Sequence, residues 1–264
     1  MKKFDELVNW FADKGRVVIA LSGGVDSAVV AYAAKKALDG NAIAVTADYK
    51  TLSNEELESA RMVAKEIGIK HKIIEYSELE NPDFVKNDEY RCFHCRNELA
   101  THLLEVAKQE NAELIVDGTN ADDLDDFRPG IVALRQNGVK SPLVELSIKK
   151  SDVREIANAL NLSIFDKPSN ACLASRIPHG TEVTDEKLKR IERAEIIVKQ
   201  LFGVKQVRVR DHNEIARIEV GKNERHLLFD QNKLDELDVE LKKLGYRFVA
   251  IEAGGYETGN LNVV

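Results

Sequence analysis

Cysteine is scarce in this chain: three residues in 264, an odd number that cannot close into a complete disulfide framework. Two stand as Cys92-Phe93-His94-Cys95 and the third is Cys172. In a reducing compartment such a set points to metal or redox chemistry before it points to a cross-link. Long apolar runs are missing too: none approaches the roughly 18 residues of a membrane-spanning helix. The opening Met1-Lys2-Lys3-Phe4-Asp5-Glu6-Leu7 carries no apolar leader, so the expectation is a cytoplasmic protein with no membrane partner. Positive charge is short, 38 basic against 45 acidic residues for a net −7, which argues against nucleic acid as a partner. There are no internal repeats and no low-complexity tracts. What is present is ordinary globular material, 44% hydrophobic and 31% charged, enough for one large domain or a domain with a smaller companion.

The most informative stretch is Val17–Ser27. An apolar run of strand length, Val17-Val18-Ile19-Ala20-Leu21, breaks at Gly23-Gly24 and enters the helix-like Asp26-Ser27-Ala28-Val29-Val30. A strand that ends in paired glycines and feeds a helix N-terminus presents bare N–H groups and a positive dipole end to a phosphate. The turn lacks the lysine of a G-x-x-x-x-G-K-[ST] loop, so transfer of a terminal phosphoryl group is not the first reading. The plain alternative is a tight strand-to-helix turn. Ser22-Gly23-Gly24-Val25-Asp26-Ser27 resembles the PP-loop of the ATP pyrophosphatase superfamily, whose members hold the outer two phosphates as a leaving group and pass AMP to a substrate oxygen. That resemblance implies glycines close to the pyrophosphate, hydroxyl hydrogen bonds from Ser22 and Ser27, and Asp26 helping to place Mg²⁺, which prefers oxygen ligands.

Strand and helix signals alternate onward. Lys3–Asp13 carries apolar residues at helical spacing, and strands are predicted at Val17–Leu21, Ala42–Ala47, His71–Tyr76 and Glu113–Asp117. Between them a helix opens at Ser53 with a capping box to Glu56, and another covers Glu89–Gln109. Buried strands separated by helices predict a doubly wound parallel α/β sheet, which binds ligands at the C-terminal ends of its strands. Ala20, Ser22–Ser27, Thr46, Asp48 and the segment Gly118-Thr119-Asn120-Ala121-Asp122-Asp123 are thereby expected around one crevice. That last segment continues through Asp125, Asp126 and Arg128, carboxylates and a cation suited to Mg²⁺ and phosphate or, equally, to a solvated capped loop. From residue 169 the pattern changes: a helix at Lys187–Leu201, strands at Gln206–Arg210 and Glu214–Val220, a helix at Lys233–Leu244 and a strand at Arg247–Glu252 predict a small α+β domain. The expected division is 1–168 and 169–264.

The loop Ser169-Asn170-Ala171-Cys172-Leu173-Ala174-Ser175-Arg176 is expected at the junction, a frequent place for a site. Its polar residues favour a reactive Cys172 over a small buried hydrophobe, with Arg176 able to stabilise a thiolate. Cys92 and Cys95 have chelate spacing. Zinc, completed by Cys172 and by His94 or His179, and an iron–sulfur cluster on three thiolates both remain open on spacing alone. Arg208 and Arg210 alternate on one predicted strand and share a face, placed to grip a phosphate or to pair with acidic neighbours.

Taken together, the motifs at 22–27, 118–123, Arg128-Pro129-Gly130, Lys167-Pro168-Ser169, Cys172-Leu173-Ala174-Ser175-Arg176-Ile177-Pro178 and Val207-Arg208-Val209-Arg210-Asp211-His212 resemble the LarE family across nearly the whole chain. The resemblance implies a PP-loop ATP pyrophosphatase (adenine nucleotide α-hydrolase-like) fold and a role in making the nickel-pincer nucleotide cofactor. A carboxylate of pyridinium-3,5-biscarboxylic acid mononucleotide is adenylated by ATP and attacked by sulfur, giving a thiocarboxylate, AMP and pyrophosphate, and the step is repeated on the second carboxylate. It further implies ATP contacts from Ala20, Ser22, Gly23, Gly24, Asp26, Ser27, Thr46, Asp48, Gly118, Thr119, Asp122 and Arg128, and substrate contacts from Arg176, Arg208 and Arg210. In many members the position of Cys172 is a sacrificial sulfur donor. The added Cys92 and Cys95 resemble the branch in which three cysteines, here Cys92, Cys95 and Cys172, hold a [4Fe-4S] cluster that delivers a non-core sulfide. The family also implies an assembly of several like subunits. The tail Gly254–Asn260 resembles the family's glycine-rich ending only loosely. Rival functions are thiolation of tRNA, an ammonia-using synthetase, for which no glutaminase nucleophile segment is evident, and a non-enzymatic zinc-stabilised nucleotide-binding scaffold.

Overall fold

The computed structural model describes residues 1–124, 128–168 and 170–257. Asp125, Asp126, Ser169 and the end of the glycine-rich tail lie outside the described residues. The chain begins α1 (Lys2–Phe11), β1 (Val17–Ala20), α2 (Val25–Leu38), β2 (Ala42–Asp48), α3 (Asn54–Ile67) and β3 (Lys70–Glu75). It continues with α4 (Pro82–Val85), α5 (Arg91–Glu110), β4 (Leu114–Val116), α6 (Pro129–Gln136), α7 (Pro142–Glu145) and α8 (Lys150–Ala159). It closes with α9 (Asp185–Phe202), β5 (Val207–His212), β6 (Ile215–Val220), α10 (Gln231–Lys243) and β7 (Phe248–Ile251). Two compact units result, one from residues 1–78 and 90–170, the other from 79–89 and 171–264.

The first unit is built on a parallel four-stranded sheet ordered β3-β2-β1-β4. Successive strand residues point to opposite faces, and both faces are apolar. Val17 and Ile19 of β1 with Ala42 and Ala44 of β2 join α1, α2, α3 and α8 in one core. Val18, Ile43 and Val45 join Leu99, Leu103 and Val106 of α5 in the other. This is the doubly wound arrangement that the unbroken apolar strands predict. The order reverses beside β1: β2 and β3 lie to one side and β4 to the other, so the crevice opens where the loops after β1 and β4 diverge.

The predicted capping box at α3 is half formed. Ser53 Oγ accepts from Glu56 N at 3.4 Å, but the Glu56 carboxylate turns to Lys167 and Asn170 instead of back to the cap. A buried carboxylate gains more from a cation than from a neutral N–H.

The second unit carries the mixed sheet β5-β6-β7, with β5 antiparallel and β7 parallel to β6. Val207, Val209, Ala216, Ile218 and Val220 pack beneath Ala194, Val198 and Phe202 of α9 and Leu237 and Leu241 of α10. The segment 79–89 is tied in here by the Asn87 amide and by main-chain bonds, among them Val183 N to Val85 O at 3.1 Å. Buried Asn87 donates through Nδ2 to the carbonyls of Pro178 (2.8 Å) and Thr181 (2.7 Å), and its own carbonyl accepts from Gly180 N at 2.9 Å.

Candidate active site

The bend after β1 is held by its own hydroxyls. Ser27 Oγ donates to Gly24 O (3.1 Å) and accepts from Ser22 N (3.1 Å), while the Ser22 and Ser27 hydroxyls lie 3.0 Å apart. Ser27 is buried and Ser22 exposed, so Ser27 shapes the bend and Ser22 faces solvent. Gly23 has φ +79°, and a Cβ there would meet Glu56 O at 2.5 Å and Ala60 N at 3.0 Å. Gly24 caps α2 without a side-chain acceptor, which leaves the first N–H groups of that helix available for an anion.

The loop after β4 closes on the same helix end. A Cβ on Gly118 would lie 2.6 Å from Ser27 N, so glycine is what allows the two loops to touch. Buried Asp117 anchors the turn, accepting from Thr119 Oγ1 (2.5 Å), Thr119 N (3.2 Å) and Ser141 Oγ (2.7 Å). Asn120 Nδ2 donates to Asp26 Oδ1 at 3.3 Å, and Asp122 Oδ2 accepts from Lys150 N at 2.9 Å. Arg128 pairs with Asp123 at 2.5 Å. Thr46 is buried, its hydroxyl donating to Leu21 O (2.7 Å) and lying 2.8 Å from His71 Nε2, which ties the end of β2 to that of β1. Burial pushes the His71 imidazole below its usual range. Ala20 and Asp48 end β1 and β2, both half-buried.

Two lysines absent from the sequence-based site enter it from a distance. Lys150, at the start of α8, forms an ion pair with Asp26. Lys167 donates to Gly23 O at 3.1 Å and pairs with buried Glu56 at 2.9 Å. The bend thus has two ammonium groups beside it although its own sequence has none. The run Lys149-Lys150 and the segment Lys167-Pro168 are visible in the sequence, but pairings across 124 and 144 residues are not.

The cysteines divide between the units. Cys92 and Cys95 sit one turn apart at the start of α5, Cys92 exposed and Cys95 buried with Sγ 3.9 Å from Glu78 Oε1. Glu78 is fully buried and takes a hydrogen bond from Thr51 at 2.7 Å; burial raises its carboxyl above the usual range. Cys172 lies in the second unit, half-buried, and its carbonyl accepts from Ser175 N (3.0 Å), Ser175 Oγ (2.8 Å) and Arg176 Nη1 (2.9 Å). Among the described residues no group of three cysteine, histidine or carboxylate ligands is assembled for a metal. Two thiols one helical turn apart are soft donors of the kind that iron–sulfur clusters and zinc both accept. His94 lies on α5, and His179 Nδ1 is 3.3 Å from Asn87 O.

Around Cys172 the second unit concentrates charge. Arg176 is fully buried and binds Glu195 through Nε (2.8 Å) and Nη2 (3.1 Å), while Nη1 also reaches Ser175 Oγ at 3.1 Å. Arg210 bonds Glu219 at 2.7 Å and Ser175 O at 2.9 Å. Arg208 lies opposite Glu219 in the β5–β6 register, donates to Val207 O and stacks 5.0 Å from the Tyr256 ring. Burial and then the Arg176 charge push the Arg208 guanidinium down to about 10, while the charges of Arg176 and Arg208 outweigh burial and hold Glu195 below the carboxylate range. Three buried arginines and two buried glutamates are thereby gathered on this side of the second unit.

A profile of the NAD synthase family matches residues 5–94. The chain is similar to an uncharacterised protein of Synechocystis sp., 42% identical over 99% of this chain and 97% of that one. It is 32% identical to the pyridinium-3,5-bisthiocarboxylic acid mononucleotide synthase of Lactiplantibacillus plantarum, over 97% of this chain and 92% of that one. An uncharacterised protein of Methanocaldococcus jannaschii is 29% identical over 98% of both.

Proposed function

The chain belongs to the LarE family, and from that premise we propose that it is an ATP-dependent sulfurtransferase acting on pyridinium-3,5-biscarboxylic acid mononucleotide. The observation that carries the reading is the glycine bend at Gly23-Gly24, closed by Gly118 and flanked by Lys150 and Lys167, in a chain similar over nearly its full length to a synthase of the bisthiocarboxylic product.

In this reading ATP lies with its outer phosphates on the bend. Free N–H groups at the start of α2, Ser22, Lys150 and Lys167 carry the pyrophosphate charge, and Asp26, Asp48 and Asp122 are the oxygen ligands suited to Mg²⁺. Mg²⁺ would neutralise phosphate oxygens and so favour their departure. A substrate carboxylate oxygen attacks the α-phosphorus, the bond to the β-phosphate oxygen breaks, and pyrophosphate leaves intact. A sulfur nucleophile then attacks the acyl carbon. The C–O bond to the adenylate breaks, AMP departs with the former carboxylate oxygen, and a thiocarboxylate remains. Carboxylate is a poor electrophile, and the adenylate supplies the leaving group that oxide cannot be.

Arg208 and Arg210 hold the substrate phosphate in this scheme, and Arg176 adds charge while fixing the carbonyl of Cys172. Cys92, Cys95 and Cys172 would hold a [4Fe-4S] cluster, whose chemistry is to supply a replaceable sulfide. Thiolates are the donors such clusters take. The second reading, sulfur surrendered by Cys172 itself, is favoured by the part exposure of that free thiol and limits each chain to one transfer. Quantifying iron and acid-labile sulfide in anaerobically purified protein, beside thiocarboxylate formed per chain, tests both: iron, sulfide and repeated turnover are expected. One zinc with no iron, or a single transfer with loss of the Cys172 thiol, overturns the cluster. Absence of any thiocarboxylate, with thiolated tRNA formed instead, overturns the function.

A further inference from the structure

The peptide between Leu21 and Ser22, just before the glycine bend, is held at both of its polar atoms. Its carbonyl oxygen accepts from Thr46 Oγ1 at 2.7 Å and its N–H donates to Ser27 Oγ at 3.1 Å, while Ser27 Oγ gives its own proton to Gly24 O at 3.1 Å. A peptide is planar, so these two partners fix how the chain enters the bend. Thr46 makes one further contact, 2.8 Å to His71 Nε2. A hydroxyl has one proton to give and a carbonyl oxygen has none. The Thr46 proton is therefore committed to Leu21 O, and the proton between Thr46 and His71 must come from the ring.

We propose that His71 is a positioning residue for ATP: fixed as the Nε2–H tautomer, it locks the Thr46 hydroxyl onto Leu21 and so sets the bend that receives the phosphates. The inference rests on ATP binding at that bend. The donors all run one way, from His71 through Thr46, the Leu21–Ser22 peptide and Ser27 to Gly24, the residue that caps α2. Hydrogen bonds aligned in this manner polarise one another, so the chain acts as a unit. His71 stands on the edge strand β3, beside Ala44 in the register with β2, and lines a groove with Arg61 and Lys65 of α3. Burial and then the Arg61 charge hold the imidazole below its usual range. At neutral pH the ring thus carries one proton, and Thr46 decides which nitrogen keeps it. Thr46 is itself buried, so bulk water does not stand in for the ring once it is removed.

Nitrogen NMR of the full chain labelled with ¹⁵N-histidine, under reducing conditions at neutral pH, reads the tautomer, with His71→Gln identifying its signals among the six histidines. A neutral ring protonated at Nε2 is expected, and because it is read on the wild type the result does not depend on how a variant folds. Titration calorimetry reads the role. His71→Leu should bind ATP about fivefold more weakly, the worth of one buried hydrogen bond, while His71→Gln, whose amide offers a donor at similar reach, should stay within about twofold of the wild type. Adding His71→Leu to Thr46→Val should cost nothing further, because the two side chains act through one chain of bonds. A ring protonated at Nδ1, unchanged ATP affinity in His71→Leu, or additive losses in the double variant overturns the positioning role while ATP binding stands. A wild type that binds no ATP overturns the nucleotide reading of the bend as well.

Discussion

Lys167 donates to the carbonyl of Gly23, 3.1 Å away and 144 residues earlier in the chain. The same ammonium pairs with Glu56, a carboxylate buried in α3. One cation therefore neutralises a buried acid and stands at the bend where phosphate charge is proposed to gather. The two roles separate by mutation. Lys167→Ala should cost about 3 kcal/mol of stability, because it strands Glu56, and weaken ATP binding about tenfold or more. Adding Glu56→Gln should restore most of the stability in denaturant titration while ATP affinity stays low. Recovery of both together would assign Lys167 to structure alone.

Glycine substitutions distinguish collision from backbone strain. Gly23 and Gly138 share φ +79°, but a Cβ at Gly138 meets nothing within 4 Å, whereas at Gly23 it strikes backbone atoms. Gly138→Ala should lose about 1 kcal/mol and bind ATP normally. Gly23→Ala and Gly118→Ala should abolish ATP binding in calorimetry, since neither contact is with a movable side chain. Equal behaviour of all three would contradict the tight closure of the bend.

The arginines of β5 should separate in the same way. Arg210→Ala removes the 2.7 Å partner of fully buried Glu219, which keeps Arg217 at 3.3 Å, and should destabilise the fold by about 2 kcal/mol. Arg208→Ala removes the bond to Val207 O, the stack on Tyr256 and one of the charges that hold Glu195 ionised, and should lower the melting temperature less than Arg210→Ala does. Both should weaken binding of the pyridinium mononucleotide and spare binding of ATP alone. Parallel loss of both ligands would count against a substrate-phosphate role.

Acid stability should depend on Glu110. Hydrogen bonds from Lys70 and Lys72 lower its carboxyl from 4.5 to about 2. A depressed carboxylate stabilises the fold fully above its unfolded value, so this contribution is present above pH 4.5 and fades as pH falls towards 2. Glu110→Gln should be less stable than the wild type at pH 7 and should lose less on acidification through that window. Identical slopes for the two proteins in urea melts at stepped pH would remove Glu110 from the acid response.

The sheet was legible because its strands are nearly unbroken apolar runs set off by amphipathic helices, and Val17–Leu21 followed by two glycines leaves little choice of local structure. Short proline-led helices, Pro82–Val85, Pro129–Gln136 and Pro142–Glu145, escaped that reading, being too brief or irregular for a period to emerge. The packing of residues 79–89 with the second unit rests on the amide of Asn87 and on main-chain bonds to Val85 and Asn87, none of which has a signature along the chain. At the site, backbone-shaping residues such as Gly23, Gly24 and Gly118 were readable because their chemistry is local. Lys150, Lys167, Glu195 and Glu219 were not, since each acquires its meaning from a partner remote in sequence. Arg176 reads as a loop cation yet is fully buried, because Glu195 arrives from the next helix to meet it.

The central claim is that a carboxylate of the pyridinium mononucleotide is joined to AMP before sulfur replaces its oxygen. Substrate labelled with ¹⁸O in its carboxylates, incubated anaerobically with ATP and the sulfur-loaded protein, tests it directly by mass spectrometry of the nucleotide products. The account predicts one ¹⁸O atom in each AMP, unlabelled pyrophosphate and one sulfur gained per AMP released; thiocarboxylate accompanied by unlabelled AMP, or by ADP and phosphate, would contradict it.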